Sequence, residues 1–209
     1  MTDGLQLKNI EIRRLGKVLL SLDLHIRPGT VGAVMGPSGA GKSTLLAAIA
    51  GQLPPEFTLS GEITLDGRSL RRLPAQARRV GILYQDHLLF PHMSVGANLA
   101  FGLDRRVPRH SRRAAVDQAL EDIGLAGFHD RDPETLSGGQ KARIALMRML
   151  LSEPDLLLLD EPFSGLDASL RDQIRRLVFA LARRRHLPVL LVTHDEADAL
   201  AANAEIVRL

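Results

Sequence analysis

The feature that most constrains this chain is a glycine-rich segment between an apolar run and a segment of helical composition. Residues 31–35 have the length of a short strand, and residues 44–50 favour a helix. Glycines let consecutive backbone N–H groups turn inward around phosphate oxygens, and a helix N-terminus adds partial positive charge. The segment therefore predicts a phosphate-binding loop. Its residues are Gly36, Pro37, Ser38, Gly39, Ala40, Gly41, Lys42, Ser43 and Thr44.

Two side chains of this loop are suited to phosphate and metal binding. Lys42 is placed to reach the outer phosphates of a nucleotide, and the Ser43 hydroxyl is a suitable ligand for Mg²⁺. The alternative is a glycine-rich turn without a ligand, which would not require a strand before it and a helix after it. We therefore predict that the loop binds a nucleotide together with Mg²⁺.

Length and composition are those of a globular protein with one sizeable core. The chain has 209 residues, of which 45% are hydrophobic, and it contains no cysteine, so disulfides and thiolate chemistry are excluded. No apolar run approaches the roughly 18 residues of a membrane span, and the N-terminus lacks the apolar region of a signal peptide. We therefore expect a cytoplasmic protein. The net charge is +3 and the basic pairs fit solvated helix faces, so no nucleic-acid partner is expected.

Strands alternate with helices along the sequence. Strands are expected at residues 5–13, 18–27, 31–35, 61–65, 80–84, 156–159, 189–192 and 205–209. Helices are expected at residues 44–50, 112–123, 139–151 and 168–185, and after His194. This alternation predicts an α/β fold with a mainly parallel sheet core and an antiparallel β subdomain at the N-terminus. Residues 86–152 are expected to form a helical lobe inserted into a single domain that covers residues 1–209.

Polar residues follow the ends of four expected strands, where ligands collect in parallel sheets. Gly36 follows the first strand, Gln85 the second, Asp160 and Glu161 the third, and His194 the fourth. Asp160 could hold Mg²⁺, and Glu161 could polarise an attacking water. Gln85 could ligate Mg²⁺ or position water, and His194 could donate a hydrogen bond to a terminal phosphate. Taken singly, each residue has a structural alternative as a helix cap, a surface residue or a core residue.

A second helix N-terminus suited to phosphate is predicted at residues 136–140, which read LSGGQ. Ser137 is a good N-cap, and the following helix would bury Ile144, Met147 and Leu151 on one face. If both helix starts act on one nucleotide, the simplest geometry is two subunits arranged head to tail about a two-fold axis. A Ser-Gly-Gly cap without a ligand is the structural alternative.

Together these segments resemble the ATP-binding subunit of ABC transporters. The resemblance spans nearly the whole chain and rests on the phosphate loop, Gln85, LSGGQ at 136–140, LLLLDEP at 156–162, SGLD at 164–167 and VTHDEA at 192–197. It implies an ABC ATPase with a P-loop NTPase fold that binds and hydrolyses ATP with Mg²⁺. By this resemblance residues 36–44 are the Walker A loop, Asp160 is the Walker B carboxylate and Glu161 is the catalytic base.

The resemblance also implies roles for residues outside the phosphate loop. Gln85 corresponds to the Q-loop glutamine, His194 to the switch histidine, and Asp167 to the D-loop aspartate that crosses the dimer interface. One further group would bind the γ-phosphate of ATP held by the opposite subunit. That group consists of Ser137, Gly138, Gly139 and Gln140.

Residues 85–99 are similar to the importer subgroup, in which this region receives a short helix of the membrane subunit. The apolar contact would consist of Leu88, Leu89, Phe90 and Met93, unless these side chains form the lobe's own core. The pattern most resembles compact ATPases grouped with thiamine, iron(III), spermidine and putrescine importers, and an uncharacterised branch near them. It implies a transmembrane permease as partner, a periplasmic or lipoprotein substrate-binding protein in the same system, and a position on the inner face of the cell membrane.

Two features depart from the family pattern. Where these subunits carry an adenine-stacking Tyr-Gly pair before the Walker A loop, this chain has Leu15-Gly16. Stacking of a base on an aromatic ring is worth roughly 1 to 3 kcal/mol, so we expect Leu15→Tyr to bind ATP more tightly and to discriminate better against GTP. Titration calorimetry measures both, and equal or weaker ATP binding by the variant would contradict the prediction. The chain also stops at Leu209, where many relatives continue, so regulation through an additional domain is not expected.

Two other functions share the ATPase motifs. One is an ABC ATPase that works on DNA or ribosomes, although such proteins usually insert long coiled coils or join two cassettes in one chain. The other is an ATPase of lipoprotein export or cell division, which differs from an importer only in its partner. The resemblance implies that the transported solute is chosen by the substrate-binding protein and the membrane subunits.

Overall fold

The strands of the protein form two sheets. A computed structural model describes residues 3–86 and 88–209, so residue 87 of the expected lobe lies outside the described residues. In chain order the strands are β1 (Leu5–Arg14), β2 (Lys17–Ile26), β3 (Val31–Met35), β4 (Phe57–Leu65), β5 (Arg68–Ser69), β6 (Val80–Leu83), β7 (Leu156–Asp160), β8 (Val189–Thr193) and β9 (Glu205–Arg208).

The larger sheet contains five strands in the order β6-β7-β8-β3-β9. The pairs β7 with β8, β8 with β3, and β3 with β9 are parallel. Every residue of β3 and β8 is buried, as expected for strands that are covered on both faces. The predicted α/β fold with a parallel core is confirmed.

The smaller sheet is antiparallel, in the order β2-β1-β4-β5. A tight turn at Leu15 and Gly16 joins β1 to β2, with φ angles of 49° and 80° that are typical of a type I′ hairpin. β4 begins at Phe57, earlier than the expected start at Gly61. The additional residues belong to the strand because they pair with the end of β1, where Phe57 lies opposite Arg14.

In the described residues, six α-helices connect these strands. They are α1 (Lys42–Ala50), α2 (Val95–Gly102), α3 (Arg109–Asp122), α4 (Gly138–Leu150), α5 (Ala168–Arg184) and α6 (Glu196–Ala201). The predicted buried face of α4 is confirmed for Ile144 and Met147. It is wrong for Leu151, which is half-buried because the helix ends one residue before it and Leu150 takes the buried position. None of the helices in the described part of the chain has the length and apolar composition needed to cross a membrane.

The chain divides into two compact units. The first runs to Ile82 and also contains Asp155–Glu161 and Leu177–Leu209, and the second contains Leu83–Pro154 and Pro162–Arg176. In the first unit, leucine and isoleucine side chains of β1, β2 and β4 share one buried core with α1 and with residues of β3, β7 and β8. The phosphate loop therefore lies between elements that are fixed by a common core.

Arg78 anchors the end of α1 inside the first unit. It is buried, and its guanidinium donates to the carbonyl oxygens of Ala48 at 2.9 Å, Ile49 at 2.7 Å and Leu73 at 3.0 Å. Arg78→Met would leave these acceptors without their donor, and we expect a loss of roughly 2 to 5 kcal/mol in the free energy of unfolding. Urea denaturation measures the loss, with Arg72→Met, an exposed neighbour, as control. Equal stability of the two variants would contradict the anchoring role.

Candidate active site

The phosphate loop lies between β3 and α1 in the first unit. Gly41 precedes the helix with a left-handed φ of 89°, and a Cβ at this position would lie 2.9 Å from side-chain atoms of Leu19 and Leu20. Glycine is therefore required here by both backbone conformation and space. Among the described residues no side chain caps the N-terminus of α1, so its first N–H groups are available to an anion.

Lys42 is buried inside the loop although it carries a charge. Its side chain is 6% exposed, and the ammonium donates to the carbonyl oxygens of Gly36 at 2.8 Å and Pro37 at 3.0 Å. The Nζ atom also lies 3.9 Å from Oε1 of Glu161. A buried ammonium needs such partners. The loop therefore presents a desolvated positive charge beside a helix N-terminus.

Ser43 and Asp160 come together at the end of β7. The Ser43 hydroxyl donates to Oδ1 of Asp160 at 3.2 Å. Burial raises the pKa of the Asp160 carboxyl, and the negative charge of Glu161 adds to this, whereas the Ser43 hydrogen bond and Lys42 act in the opposite direction. Within the described residues no cluster of three acidic or histidine side chains could hold a metal. A hydroxyl and one carboxylate nevertheless fit Mg²⁺, which usually keeps several waters and binds substrate phosphates.

Asp160 is expected to lower the stability of the nucleotide-free protein at neutral pH. Because the pKa of Asp160 is raised in the folded state, the folded protein holds the proton more tightly than the unfolded chain. The free energy of unfolding therefore falls as the pH rises from the ordinary pKa of an aspartate through the raised pKa of Asp160. Asp160→Asn removes the ionised carboxylate and should melt at a higher temperature than the wild type at pH 7. The difference should shrink below the ordinary pKa of an aspartate. Differential scanning calorimetry measures it, with the exposed Asp130→Asn as control; a lower melting temperature for Asp160→Asn would contradict it.

The Glu161 carboxylate lies between two groups suited to binding phosphate. Its Oε2 is 3.1 Å from Nδ1 of His194, and its Oε1 faces Lys42. Glu161 follows β7 with a left-handed φ of 46°, and its N–H donates to the carbonyl oxygen of Val192 at 2.9 Å. This backbone turn places the acidic side chain beside the phosphate loop.

A small buried network holds the turn that carries His194. The Thr193 hydroxyl donates to Oδ2 of Asp198 at 2.9 Å and accepts from the Asp195 N–H at 3.0 Å. Asp195 in turn caps α6 by accepting from the Ala197 N–H at 2.9 Å. His194 itself is 61% exposed and uses Nδ1 towards Glu161, so Nε2 is left for another partner. Asp198 was not among the predicted site residues, and its one sequence signal is that it is a second aspartate shortly after a strand end.

The phosphate loop opens into a cleft of about 320 Å³ in the first unit. Loop residues and Glu161 line one part of it, and three side chains outside the motifs line the rest. These three are Arg14, Leu19 and Phe57. These three residues were not predicted because they lie on β1, β2 and β4, which carry no recognisable nucleotide motif. The available signal was an aromatic residue in a chain that has only six Phe and one Tyr.

The second unit contains the remaining predicted site residues. Ser137 caps α4 through a complete capping box, in which its hydroxyl accepts from the Gln140 N–H and the Gln140 side chain accepts from the Ser137 N–H. Gly138 is exposed, and a Cβ there would meet no atom within 4 Å. Asp167 caps the start of α5 by accepting from the Leu170 N–H at 3.0 Å. Gln85 is exposed after β6.

The apolar segment at residues 88–93 is held in place by Asn98 and Arg148. Asn98 is fully buried and bonds the N–H of Phe90 at 2.9 Å and its carbonyl oxygen at 3.1 Å. Arg148 donates to the carbonyl oxygen of Leu88 at 2.8 Å and lies 4.9 Å from the centre of the Phe90 ring. Leu88 is 59% exposed, whereas Leu89, Phe90 and Met93 are half-buried. The segment therefore presents apolar surface on a fixed backbone.

The first unit combines a strand, a phosphate-binding loop with a buried lysine, and a carboxylate pair at a strand end. These features define a nucleotide-binding protein of the P-loop class. Comparison with known proteins identifies the family. The ABC transporter family model matches residues 19–164. The chain therefore belongs to the ABC transporter family, and it is an ATP-binding protein and ATPase of that family.

Individual relatives agree with the importer-type resemblance, which is confirmed. An uncharacterised ABC transporter ATP-binding protein of Escherichia coli, YnjD, is 46% identical over 93% of this chain and 90% of its own length. A thiamine import ATP-binding protein of Vibrio vulnificus is 46% identical over 88% of this chain and 77% of its own length. An Fe(3+) ions import ATP-binding protein of Pasteurella multocida is 42% identical over 98% of this chain, which spans 58% of that relative.

Proposed function

We propose that this chain binds and hydrolyses ATP to energise a membrane importer of a small solute. The observation that carries the proposal is the group of reactive side chains around the phosphate loop of the first unit. The Glu161 carboxylate lies within ion-pair distance of both Lys42 and His194. The Ser43 hydroxyl donates a hydrogen bond to Asp160. Import as the direction is supported by relatives that are named for thiamine and iron import.

In this proposal the phosphates of ATP bind at residues 36–44. The N–H groups at the start of α1 and the Lys42 ammonium neutralise the phosphate oxygens. Ser43 and Asp160 would hold Mg²⁺, which would supply charge neutralisation at the phosphates, and Gln85 is proposed as a further ligand. The buried position of Lys42 strengthens its attraction for phosphate because little water competes.

Hydrolysis in this proposal depends on Glu161 and His194. Glu161 accepts the proton of the attacking water while the new P–O bond forms and the bond to ADP breaks, and His194 donates a hydrogen bond to the γ-phosphate. In the nucleotide-free protein the Glu161 carboxylate contacts both Lys42 and His194. Phosphate must replace it at these two groups, which releases the carboxylate to act on water.

The second unit is proposed to serve the nucleotide of a second copy. Ser137, Gly138, Gly139 and Gln140 would bind the γ-phosphate, and Asp167 would cross the interface of a head-to-tail dimer. The exposure of Gly138, the first residue of α4, supports this, because a helix N-terminus that a ligand can reach favours an anion. We further propose that residues 86–152 form the signature lobe of a single ABC ATPase domain that covers residues 1–209.

The partners follow from the same proposal. A transmembrane permease would bind the apolar segment formed by Leu88, Leu89, Phe90 and Met93, and a substrate-binding protein would deliver the solute. Exposed apolar surface on a backbone held by Asn98 and Arg148 supports this contact. The protein would then work at the inner face of the cell membrane.

Co-purification tests the proposal. Tagged Glu161→Gln is isolated from native membranes with Mg-ATP, and bound proteins are identified by mass spectrometry. We expect a permease with several membrane spans, and its loss when Leu88→Asp is added, because a charge in an apolar contact is costly. Isolation of ribosomes, DNA or lipoprotein-export and cell-division proteins instead would contradict importer function and leave the ATPase assignment in place.

A further inference from the structure

The cleft of the first unit has chemically different parts. One part is the phosphate loop, with the buried ammonium of Lys42 and the start of α1. The rest is lined by a guanidinium, an aliphatic side chain and an aromatic ring, namely Arg14, Leu19 and Phe57. A nucleoside triphosphate combines a polyanion with a flat base, so both of its ends have a counterpart in this cleft.

Leu15 does not contribute to this cleft. It is 84% exposed at the tip of the hairpin, in a left-handed conformation, and it is not among the lining residues. Phe57 lies opposite Arg14 in the ladder of β1 and β4, and its ring packs partly against the core. The ring therefore belongs to a paired strand and is held more firmly than a side chain at an exposed turn.

We propose that Phe57 is the base-stacking residue of this nucleotide site and that Arg14 positions its ring. The Arg14 guanidinium lies 5.7 Å from the centre of the Phe57 ring, within the range of a cation–π contact. The backbone N–H of Leu15 donates to the carbonyl oxygen of Glu56 at 3.4 Å, which ties the hairpin turn to the residue before Phe57. The Phe57 ring, here called the stacking platform, is thus supported from both β1 and β4.

The stacking platform predicts that the site selects among nucleotides by stacking on the base and not by hydrogen bonding to it. Of the described residues that line the cleft, none is Asn, Gln or Asp, and the one carboxylate, Glu161, contacts Lys42. Purines stack through a larger π-face than pyrimidines. ATP and GTP should therefore bind with similar affinity, and both more tightly than CTP or UTP.

Calorimetric titration with ATP and with inorganic tripolyphosphate tests the proposal, which rests on nucleotide binding at the phosphate loop. Tripolyphosphate has the same charged groups but no base. We expect Phe57→Leu to weaken ATP binding by about 5- to 150-fold, the value of one stacked base, and to leave tripolyphosphate binding unchanged. Phe57→Tyr, which keeps the ring, should bind ATP like the wild type.

Phe128→Leu is the matched control, since Phe128 is half-buried and also lies beneath an arginine, Arg131, at 4.1 Å. It should bind both ligands like the wild type. Unchanged ATP affinity in Phe57→Leu, or an equal loss for ATP and tripolyphosphate, would overturn the stacking role alone. A wild type that binds neither ligand would overturn the nucleotide site itself, so the two failures are distinguishable.

Discussion

Replacement of Glu161 by glutamine is expected to slow ATP hydrolysis by about 10²- to 10⁴-fold, the usual contribution of a general base. ATP binding should be at least as tight as in the wild type. In the nucleotide-free protein the Glu161 carboxylate contacts Lys42 at 3.9 Å and His194 at 3.1 Å, and a neutral amide competes less with phosphate for both groups. Single-turnover phosphate release measures the rate, and calorimetric titration measures the affinity.

The control for this variant is Glu121→Gln, which removes an exposed glutamate of α3. It should hydrolyse ATP at the wild-type rate. Near-normal turnover by Glu161→Gln would refute its role as base. Weaker ATP binding by the same variant would show that the carboxylate does not compete with phosphate.

Replacement of Lys42 by alanine is expected to weaken ATP binding by about 100-fold or more. Charge-assisted hydrogen bonds contribute about 1.5 to 3 kcal/mol each, and the buried ammonium would make more than one to the phosphates. The variant also leaves the carbonyl oxygens of Gly36 and Pro37 without the donor that now holds the loop. Calorimetric titration with ATP and with tripolyphosphate measures the loss, which should be the same for both ligands.

Lys8→Ala provides the matched control, because Lys8 is an exposed lysine of β1. Its ATP affinity should equal that of the wild type. Lys42→Arg keeps the charge but has a larger planar head group that does not fit a compact ammonium site, so it should also bind poorly. Wild-type affinity in Lys42→Ala would remove the lysine from the binding site, and wild-type affinity in Lys42→Arg would contradict the requirement for a compact ammonium.

The core of the fold was predictable because its signals are local. β3, β7 and β8 are short apolar runs, and a glycine-rich loop or polar residues follow them. β4 was predicted too short because Gly61 reads as a strand start. In the structure Gly61 lies inside the strand with a φ of 86°, where a Cβ would lie 2.2 Å from the Asn9 carbonyl oxygen, at a shift in the β1–β4 register. Such a bulge depends on the partner strand, which is distant in sequence.

In the candidate site, too, residues with a local motif were predictable, whereas contacts between distant segments were not. Motif spacing indicated Lys42, Asp160, Glu161 and His194 individually, but the contacts of Glu161 with both cationic partners depend on side-chain conformations of three separate segments. Phe57 was missed because its relation to the phosphate loop arises from strand pairing and not from a motif. Residues defined by tertiary packing carry little local sequence signal.

The most direct test of the proposed ATP-dependent dimer is the oligomeric state of Glu161→Gln, measured by sedimentation velocity. We expect a monomer without nucleotide and a dimer with Mg-ATP, because each copy would close its LSGGQ segment over the ATP of the other. Gly138→Glu places a negative charge at the proposed phosphate contact, at a position where an added Cβ meets nothing within 4 Å. The double variant with Glu161→Gln and Gly138→Glu should therefore stay monomeric. A monomer at saturating ATP, or a dimer that forms regardless of ATP and of Gly138→Glu, would contradict the account.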